Sequence, residues 1–506
     1  MSNYLFDGLL GGAVRDKRFA ELINNRSYTY GDVLDVTGRF ANVLVGLGVQ
    51  PGDRVAVQVN KSIEAVMLYP ATVRAGGAFL PLNTAYTASE IEYFLDNAKP
   101  RVFVCDPSKY GDYESICEAR GIRLEALGVY GTDENIGSLA EAGSSAPVEF
   151  ETVVRGADDL AAILYTSGTT GRSKGAMLTH ENLLSNAKVL ADYWRFTSDD
   201  VLLHILPIFH THGLFVAINT VLLARASMYF RHGFSVDDVI ENLPHCTTMM
   251  GVPTHYTRLL DDDRFNQELT SHMRLFTSGS APLLAETHKH FEARTGHRIL
   301  ERYGMTETNM NTSNPYEGER RAGTVGFPLP GTEVVINNAE TGEQVPNGET
   351  GAIEVRGPNV FKGYWEMPDK TREELRDNGF FITGDLGKID EDGYVHIVGR
   401  AKDLIISGGF NVYPKEIESV LDDIDGVSES AVIGIPHSDF GEAVVGVLVA
   451  ERNAELDENS ILESLKTKIA RFKQPKKIFV IDELPRNTMG KVQKNVLRDR
   501  YQDLFT

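Results

Sequence analysis

The stretch RVAVQVNKSIEAVMLYPATVRAGGAFLPLN, Arg54 to Asn83, decides the fold. RVAVQV is a short valine-rich run that reads as a strand. KSIEAVMLYPATVRAG then places its apolar residues at helical spacing, and GAFLPLN is strand-like again. Strand, helix and strand so closely joined make a βαβ unit with parallel strands. TASEIEYFLDNAKP follows as a helix with a polar entry and a proline exit, and RVFVCD as a further strand. The pattern returns after Asp159 through AAILYTS, DVLLHILPIFH, HCTTMMGV and MRLFTSG. The fold class is therefore α/β, with two such regions that are not exact repeats of one another.

After Gly323 the texture changes. GTEVVINNAETGEQVPNGETGAIEVRG and GDLGKIDEDGYVHIVGR alternate apolar and polar residues around Gly-containing turns and read as antiparallel hairpins. Composition shifts again near Arg400, and 401–506 read as a compact α+β unit. Its tail, Lys466 to Arg500, is rich in lysine and arginine. That tail is either a solvated face or a basic patch turned toward a phosphorylated ligand.

At 506 residues the chain is too long for one hydrophobic core. A formal charge of -21 argues against nucleic acid or an anionic membrane as partner, yet a locally positive pocket can still take an anionic substrate. Cys105, Cys117 and Cys246 have neither metal-ligand nor disulfide spacing, which suits a reducing compartment. MSNYLFDGLLGGAVRDKRF lacks a signal-peptide core, and GLFVAINTVLLA, Gly213 to Ala224, is too short to span a bilayer. The expected location is cytoplasmic.

YTSGTTGRSKG, Tyr165 to Gly175, carries the densest chemical signal. Glycines, hydroxyl residues, Arg172 and Lys174 crowd one turn after a strand, as an anion-binding nest requires. It lacks the Gly-Lys-Ser/Thr ending of a Walker A loop. A loop that merely turns needs no such density of donors. In PIFHTHGL, His210 and His212 invite a zinc reading, but no HExxH frame surrounds them, and a pocket-lining role for His210 is the better one. TSGSAPL, Thr277 to Leu283, is by itself a strand-to-helix turn whose small residues admit a flat ligand. TGDLG offers Asp385 to a pair of hydroxyls, and PRNTMGKVQK places Lys491 behind a glycine in an exposed loop.

Taken in order, YTSGTTGRSKG, TSGSAPL, YGMTE, TGDLG, GRAKDLIISGGFNVYPKEIE and PRNTMGKVQK resemble the adenylate-forming superfamily of acyl-CoA synthetases, luciferases and adenylation domains across essentially the whole chain. The resemblance implies a large N-terminal domain, 1–400, of two α/β subdomains plus a small β-barrel (about 324–400), hinged to a mobile C-terminal domain, 401–506. It implies ATP and Mg²⁺ as cofactors and coenzyme A as co-substrate: a carboxylate attacks the α-phosphate of ATP, and a thiol then displaces AMP. Thr166, Ser167, Gly168, Thr169, Thr170, Gly171 and Lys174 would cradle the leaving phosphates. Glu307 would hold Mg²⁺, and Thr306 would touch the α-phosphate. Tyr303 would stack on adenine beside Gly279, Ser280 and Ala281, with Asp385 and Arg400 on the ribose. Lys491 would reach the reacting carboxylate, Lys402 would be the hinge, and Gly408, Gly409 and Phe410 would face CoA. Lys491 is also open to acylation, which would neutralise it.

Arg302, directly ahead of Tyr303, is not needed for ATP. A guanidinium facing an alkyl chain would be a costly unpaired charge, whereas a second carboxylate gives it a bidentate partner. Pairing with Glu301 or another acid is the plainer alternative, and Arg274 is a weaker candidate for the same work. ILERYGMTETNMNTSNP, LPIFHTHGLF and MRLFTSGSAPL resemble the malonate-activating members of the superfamily, which implies malonate and methylmalonate as substrates, held by Arg302 with Ser280 and His210. Another short mono- or dicarboxylic acid, or an acceptor other than CoA, remains open at this point, as does the oligomeric state.

Overall fold

The structure is a computed structural model of the full chain and describes residues 2–23, 26–128, 137–166, 173–339, 341–407, 410–437, 440–452, 454–469, 471–487 and 490–505. The helix expected after Arg54–Gln58 runs Ile63–Arg74, its entry fixed by Ser62, whose hydroxyl accepts from Ala65 N at 3.1 Å. It is followed by the strand Ala78–Pro81, parallel to Arg54–Gln58. TASEIEYFLDNAKP forms the helix Ala88–Ala98 behind a Thr87–Glu90 capping box, and closes on Lys99 in the left-handed region at φ 45°.

Among the described residues the strands form four sheets. The first has six strands, in the order Arg123–Ala126, Val102–Cys105, Arg54–Gln58, Ala78–Pro81, Leu160–Thr166 and Lys174–Thr179; only the last pairing is antiparallel. The second has nine. Its parallel centre, Leu300–Met305, Leu275–Ser278, Thr248–Gly251, Val201–His204, Ser227–Phe230 and Arg18–Leu22, is flanked at both ends by antiparallel strands. Both sheets feed one large apolar core, in which Val55 and Val57 of one sheet join Leu202, Met228 and Leu275 of the other, with Leu68 and Leu184 from helices. The hairpin-rich segment forms an antiparallel sheet of Glu333–Asn337, Gly351–Arg356, Phe381–Ile389 and Val395–Arg400.

Beyond Arg400 a five-stranded sheet with helices Pro414–Asp422, Glu458–Lys468 and Lys494–Tyr501 has its own buried clusters. The basic tail serves this lobe internally. Lys473 meets Glu416, Lys494 meets Glu418, Arg486 meets Glu429, Arg498 meets Asp403 at 2.6 Å and Lys477 meets Glu458 at 3.3 Å. Those cations neutralise neighbouring carboxylates and form an ion-paired part of the lobe's surface. No helix among the described residues is long and apolar enough to cross a membrane.

Arg274 is likewise committed to the fold. Its Nε and Nη2 donate to the two oxygens of Asp200 at 2.6 and 2.8 Å, and its Nη1 donates to Trp194 O at 3.0 Å. The guanidinium stacks near Phe196 and Tyr316. It is therefore not a second substrate arginine. Asp200 is 3% exposed and its carboxyl is held below the usual range: burial alone would raise it, and the bonds from Arg274, Thr197 N and Thr247 more than offset that. Asp200→Ala leaves the arginine without its partner and should cost about 3 kcal/mol. Urea unfolding followed through tryptophan fluorescence measures this, and a loss below about 1 kcal/mol would contradict the pairing's importance.

Candidate active site

The site is built where parallel strands of the nine-stranded sheet end, the usual place for a ligand in an open α/β sheet. Strand Leu275–Ser278 pairs with Leu300–Met305 in the register Thr277–Leu300 and Ser278–Glu301, so the turn Gly279–Ser280–Ala281 emerges beside Arg302. Side chains alternate along a strand, and the neighbours Glu301 and Arg302 face opposite ways. Glu301 accepts from Leu283 N at 3.1 Å and pins the turn from behind. Burial pushes its carboxyl up to about 8. Arg302 faces the turn itself: a Cβ at position 279 would lie 2.4 Å from its Cζ, so glycine there leaves the room that the guanidinium fills.

Arg302 is 3% exposed, and its Nε and Nη2 have no partner. Burial lowers its pKa to about 10, the nearby Glu301 and Tyr256 opposing the shift. The plainer alternative, a hydrogen-bonded pair with Glu301, is not what the strand permits. A buried cation with empty donors has the chemistry to pair with an anion.

Ser280 stands at φ +71°, a left-handed conformation that a non-glycine residue adopts at a cost. Its Oγ lies 3.2 Å from His212 Nδ1. His212 belongs to this pocket although the sequence singled out only His210; the one available signal was the His-Thr-His spacing. His212 Nε2 and His210 Nδ1 are buried without partners. Burial first, then positive neighbours, keeps both neutral: Arg302 beside His212, Lys491 and Arg302 beside His210, which falls to about 3. The cationic surroundings also speak against zinc here.

Tyr303 marks the other side. Its hydroxyl donates to Asp385 Oδ2 at 2.6 Å, and Asp385 Oδ1 meets Arg400 Nε at 2.7 Å. Asp385 and Arg400 are opposite one another in the hairpin Phe381–Arg400. Thr306 and Glu307 occupy the turn after Met305, and Glu307 is 5% exposed. Burial raises its carboxyl above the usual range, and Tyr364 donates to its Oε1 at 3.0 Å. Thr166 ends its strand near Lys174 O at 3.5 Å. Lys174 Nζ lies 3.1 Å from Glu374 Oε1 and 4.2 Å from the centre of the Tyr364 ring. Ser167, Gly168, Thr169, Thr170 and Gly171, expected to bind phosphate, lie outside the described residues, as do Gly408 and Gly409.

Lys491 reaches this space from the C-terminal lobe. A Cβ at the neighbouring Gly490 would meet Thr254 Oγ1 at 3.7 Å, so the loop rests against the N-terminal part of the chain. Its side chain keeps access to water along one side, while crowding between the lobes lowers the ammonium pKa; Arg400 adds to that and Asp385 and Glu307 oppose it. Lys402 is exposed in the 3₁₀ turn Ala401–Asp403. Phe410 takes no part in these contacts: it is 55% exposed and stacks on Phe472 with ring centres 4.8 Å apart.

Residues 13–365 match the AMP-binding enzyme family and residues 416–491 the AMP-binding enzyme C-terminal domain. In sequence the chain is similar to the malonate–CoA ligase of Arabidopsis thaliana, 35% identical over 95% of this chain and 86% of that protein. In structure it is similar to ATP-bound MatB from Rhodopseudomonas palustris, at 57% identity and TM-score 0.97 with full coverage of both chains. Against apo MatB from the same organism, 58% identical and also fully covered, the TM-score is 0.86. At nearly equal identity, the shape follows the ATP-bound form more closely.

The strain at Ser280 gives a test that separates conformation from contact. Ser280→Ala and Ser280→Gly both lose the hydroxyl facing His212, but only glycine is free of the left-handed penalty. The glycine variant should be the more stable of the two by about 1 kcal/mol, read as the difference in urea midpoints. Equal stability, or a more stable alanine variant, would remove the strain argument.

Proposed function

The chain belongs to the AMP-binding enzyme family, and on that footing we propose that it is a malonate–CoA ligase acting through a malonyl-adenylate. It is an AMP-forming acyl-CoA synthetase by class. In the reaction proposed, one carboxylate oxygen of malonate attacks the α-phosphorus of ATP and pyrophosphate leaves. The CoA thiolate sulfur then attacks the acyl carbon, AMP leaves, and malonyl-CoA remains.

Arg302 carries the substrate assignment. A diacid fills its empty donors with the carboxylate that does not react, while Ser280, His212 and His210 surround the same end. A monocarboxylate leaves the buried charge unpaired, a loss of about 3 kcal/mol or more, which is roughly a hundredfold in selectivity. The likeness to the Arabidopsis malonate–CoA ligase supports the same reading. Methylmalonate keeps both carboxylates and is proposed as a second substrate.

For the nucleotide we assign Tyr303 and the Gly279–Ala281 turn to adenine, and Asp385 with Arg400 to the ribose. The Thr166–Lys174 loop takes the leaving phosphates and Thr306 the α-phosphate. Glu307 supplies one buried carboxylate, which fits Mg²⁺, a cation that takes most of its ligands from phosphates and water. When bound, that ion offsets charge on the phosphates. Lys491 adds a fixed positive charge where the attacking carboxylate and the α-phosphate meet. We place the domain boundary at Arg400, with Lys402 as the hinge and the segment Gly408–Phe410 facing CoA after the swing.

Two measurements test this. A panel of acids assayed for CoA-thioester formation should rank malonate, then methylmalonate, at least a hundredfold above acetate and butyrate in kcat/KM. Arg302→Ala should erase that preference and raise the KM for malonate at least tenfold, with the KM for ATP changed less than twofold. Equal use of malonate and butyrate by the parent enzyme would refute the substrate assignment. Separately, Lys491→Ala should slow adenylate formation at least a hundredfold yet convert supplied malonyl-adenylate to thioester at a near-normal rate. Comparable losses in both half-reactions would refute the role given to Lys491.

A further inference from the structure

The segment Lys362–Trp365 runs alongside Gly175–Met177 as an extra strand. Trp365 N donates to Gly175 O at 2.8 Å, Met177 N to Gly363 O at 2.9 Å and Lys362 N to Met177 O at 2.9 Å. Phe361 N donates to Glu307 O at 2.8 Å. One strap therefore ties the strand that begins at Lys174 to the turn that carries Glu307. Tyr364, in the middle of the strap, has its hydroxyl between two carboxylates, 3.0 Å from Glu307 Oε1 and 2.5 Å from Glu374 Oε2.

Glu374 ends the short helix Pro368–Glu374 and has three partners: Tyr364, Lys370 at 3.0 Å, and Lys174. Lys174 Nζ is 3.1 and 3.2 Å from its two oxygens, and the ammonium also lies over the Tyr364 ring. Both members of this pair are about four-fifths shielded from solvent. An unrestrained lysine has four rotatable side-chain bonds and about 2 kcal/mol of rotamer entropy to lose on meeting a ligand. Glu374 and the tyrosine ring remove that freedom in advance. The ammonium has three donors and the carboxylate engages at most two, so at least one is left for a phosphate oxygen.

We propose that Glu374 is a positioning residue for the nucleotide phosphates: through Lys174 it holds a preset cation at the mouth of the phosphate loop. The same Tyr364 hydroxyl joins that cation's anchor to Glu307, so the two halves of the phosphate site are held at one spacing. This inference rests on the reading that the Thr166–Lys174 loop receives the phosphates of ATP.

Glu374→Gln in the full-length enzyme keeps the size of the side chain and removes its charge. The expected result is about a tenfold rise in the Kd for ATP by calorimetry and a matching rise in the KM for ATP. The KM for malonate, and the conversion of supplied malonyl-adenylate to thioester, should change less than twofold. In a Lys174→Ala background the same substitution should change ATP affinity less than twofold, because its route is gone. Tyr364→Phe keeps the ring and the ion pair and should weaken ATP in the same direction but less.

The outcomes separate the two readings. If Lys174→Ala leaves ATP affinity unchanged, the phosphate-loop assignment itself fails. If Lys174→Ala weakens ATP binding but Glu374→Gln does not, only the role of Glu374 fails. It also fails if Glu374→Gln tightens ATP binding, which would make the carboxylate a competitor of phosphate, or if its effect is undiminished without Lys174.

Discussion

The guanidinium of Arg302, shut away from water with Nε and Nη2 unpaired, sets the terms for everything around it. Keeping a buried cation unpaired costs several kcal/mol, which the fold tolerates only because the strand that carries it is fixed from several directions. Asn314 donates from both its backbone N and its Nδ2 to Glu301 O at 3.0 Å, and the same Nδ2 donates to Thr324 O at 2.9 Å. Tyr256 donates to Thr277 O at 2.5 Å on the adjoining strand. With the backbone held, alternation keeps Glu301 on the far side, occupied with Leu283 N, and the arginine cannot satisfy itself. Glycine at 279 completes the arrangement by leaving open the space the guanidinium needs.

The surroundings of Arg302 concentrate positive charge without multiplying it. His204, His210, His212 and His255 are all driven toward the neutral form, burial being the largest cause in each. Their ring nitrogens offer hydrogen bonds and no net charge, so the positive charge around them rests on Arg302 and, beside His210, on Lys491. A protein of formal charge -21 can in this way hold a locally positive pocket. The cost of the arrangement is borne by conformation as well, as the left-handed backbone of Ser280 shows.

Short-range pattern carried much of this into the sequence. The valine-rich strands, the helical spacing that follows Arg54–Gln58, the polar entry of TASEIEYFLDNAKP and the Gly-centred hairpins are decided within a few residues, and these elements stand where the pattern put them. The charge of Arg302 was legible because no use in ATP binding explains it. Pairings across long stretches of chain were not legible. Lys174 and Glu374 are 200 residues apart, and TREEL carries no mark of a partner in the phosphate loop. Arg274 looked available only because Asp200, 74 residues earlier, gives no sign of facing it. His212 and Ser280 meet across 68 residues where the start of the helical segment His212–Ile218 approaches the turn after the strand Leu275–Ser278. The basic tail stayed open between two readings for a related reason: composition counts charges but does not show which carboxylates stand opposite them.

The two lobes bear on how one chain could serve two half-reactions. Lys491 lies within electrostatic reach of Glu307 and Asp385, while Phe410, on the same lobe, is exposed and stacked on Phe472. Both hang from one sheet: the strand Ile405–Ser407 pairs with Phe410–Val412 and with Gly441, and Gly441–Ala450 pairs with Lys477–Ile481, which leads to the lysine loop. If a lobe built this way turns as a unit, bringing one edge toward the cleft takes the other away. The freedom for that turn is narrowly placed. Arg400 is bound to the N-terminal side through Asp385, whereas Asp403 is bound to the C-terminal lobe through Arg498. Ala401 and Lys402 are the residues between those two anchors, both exposed, so a rotation of the lobe that keeps both ion pairs must be absorbed in their backbone. This supports Lys402 as the pivot, and it ties the hinge to the ribose-side pair Asp385–Arg400: whatever engages Asp385 also bears on the anchor from which the lobe swings.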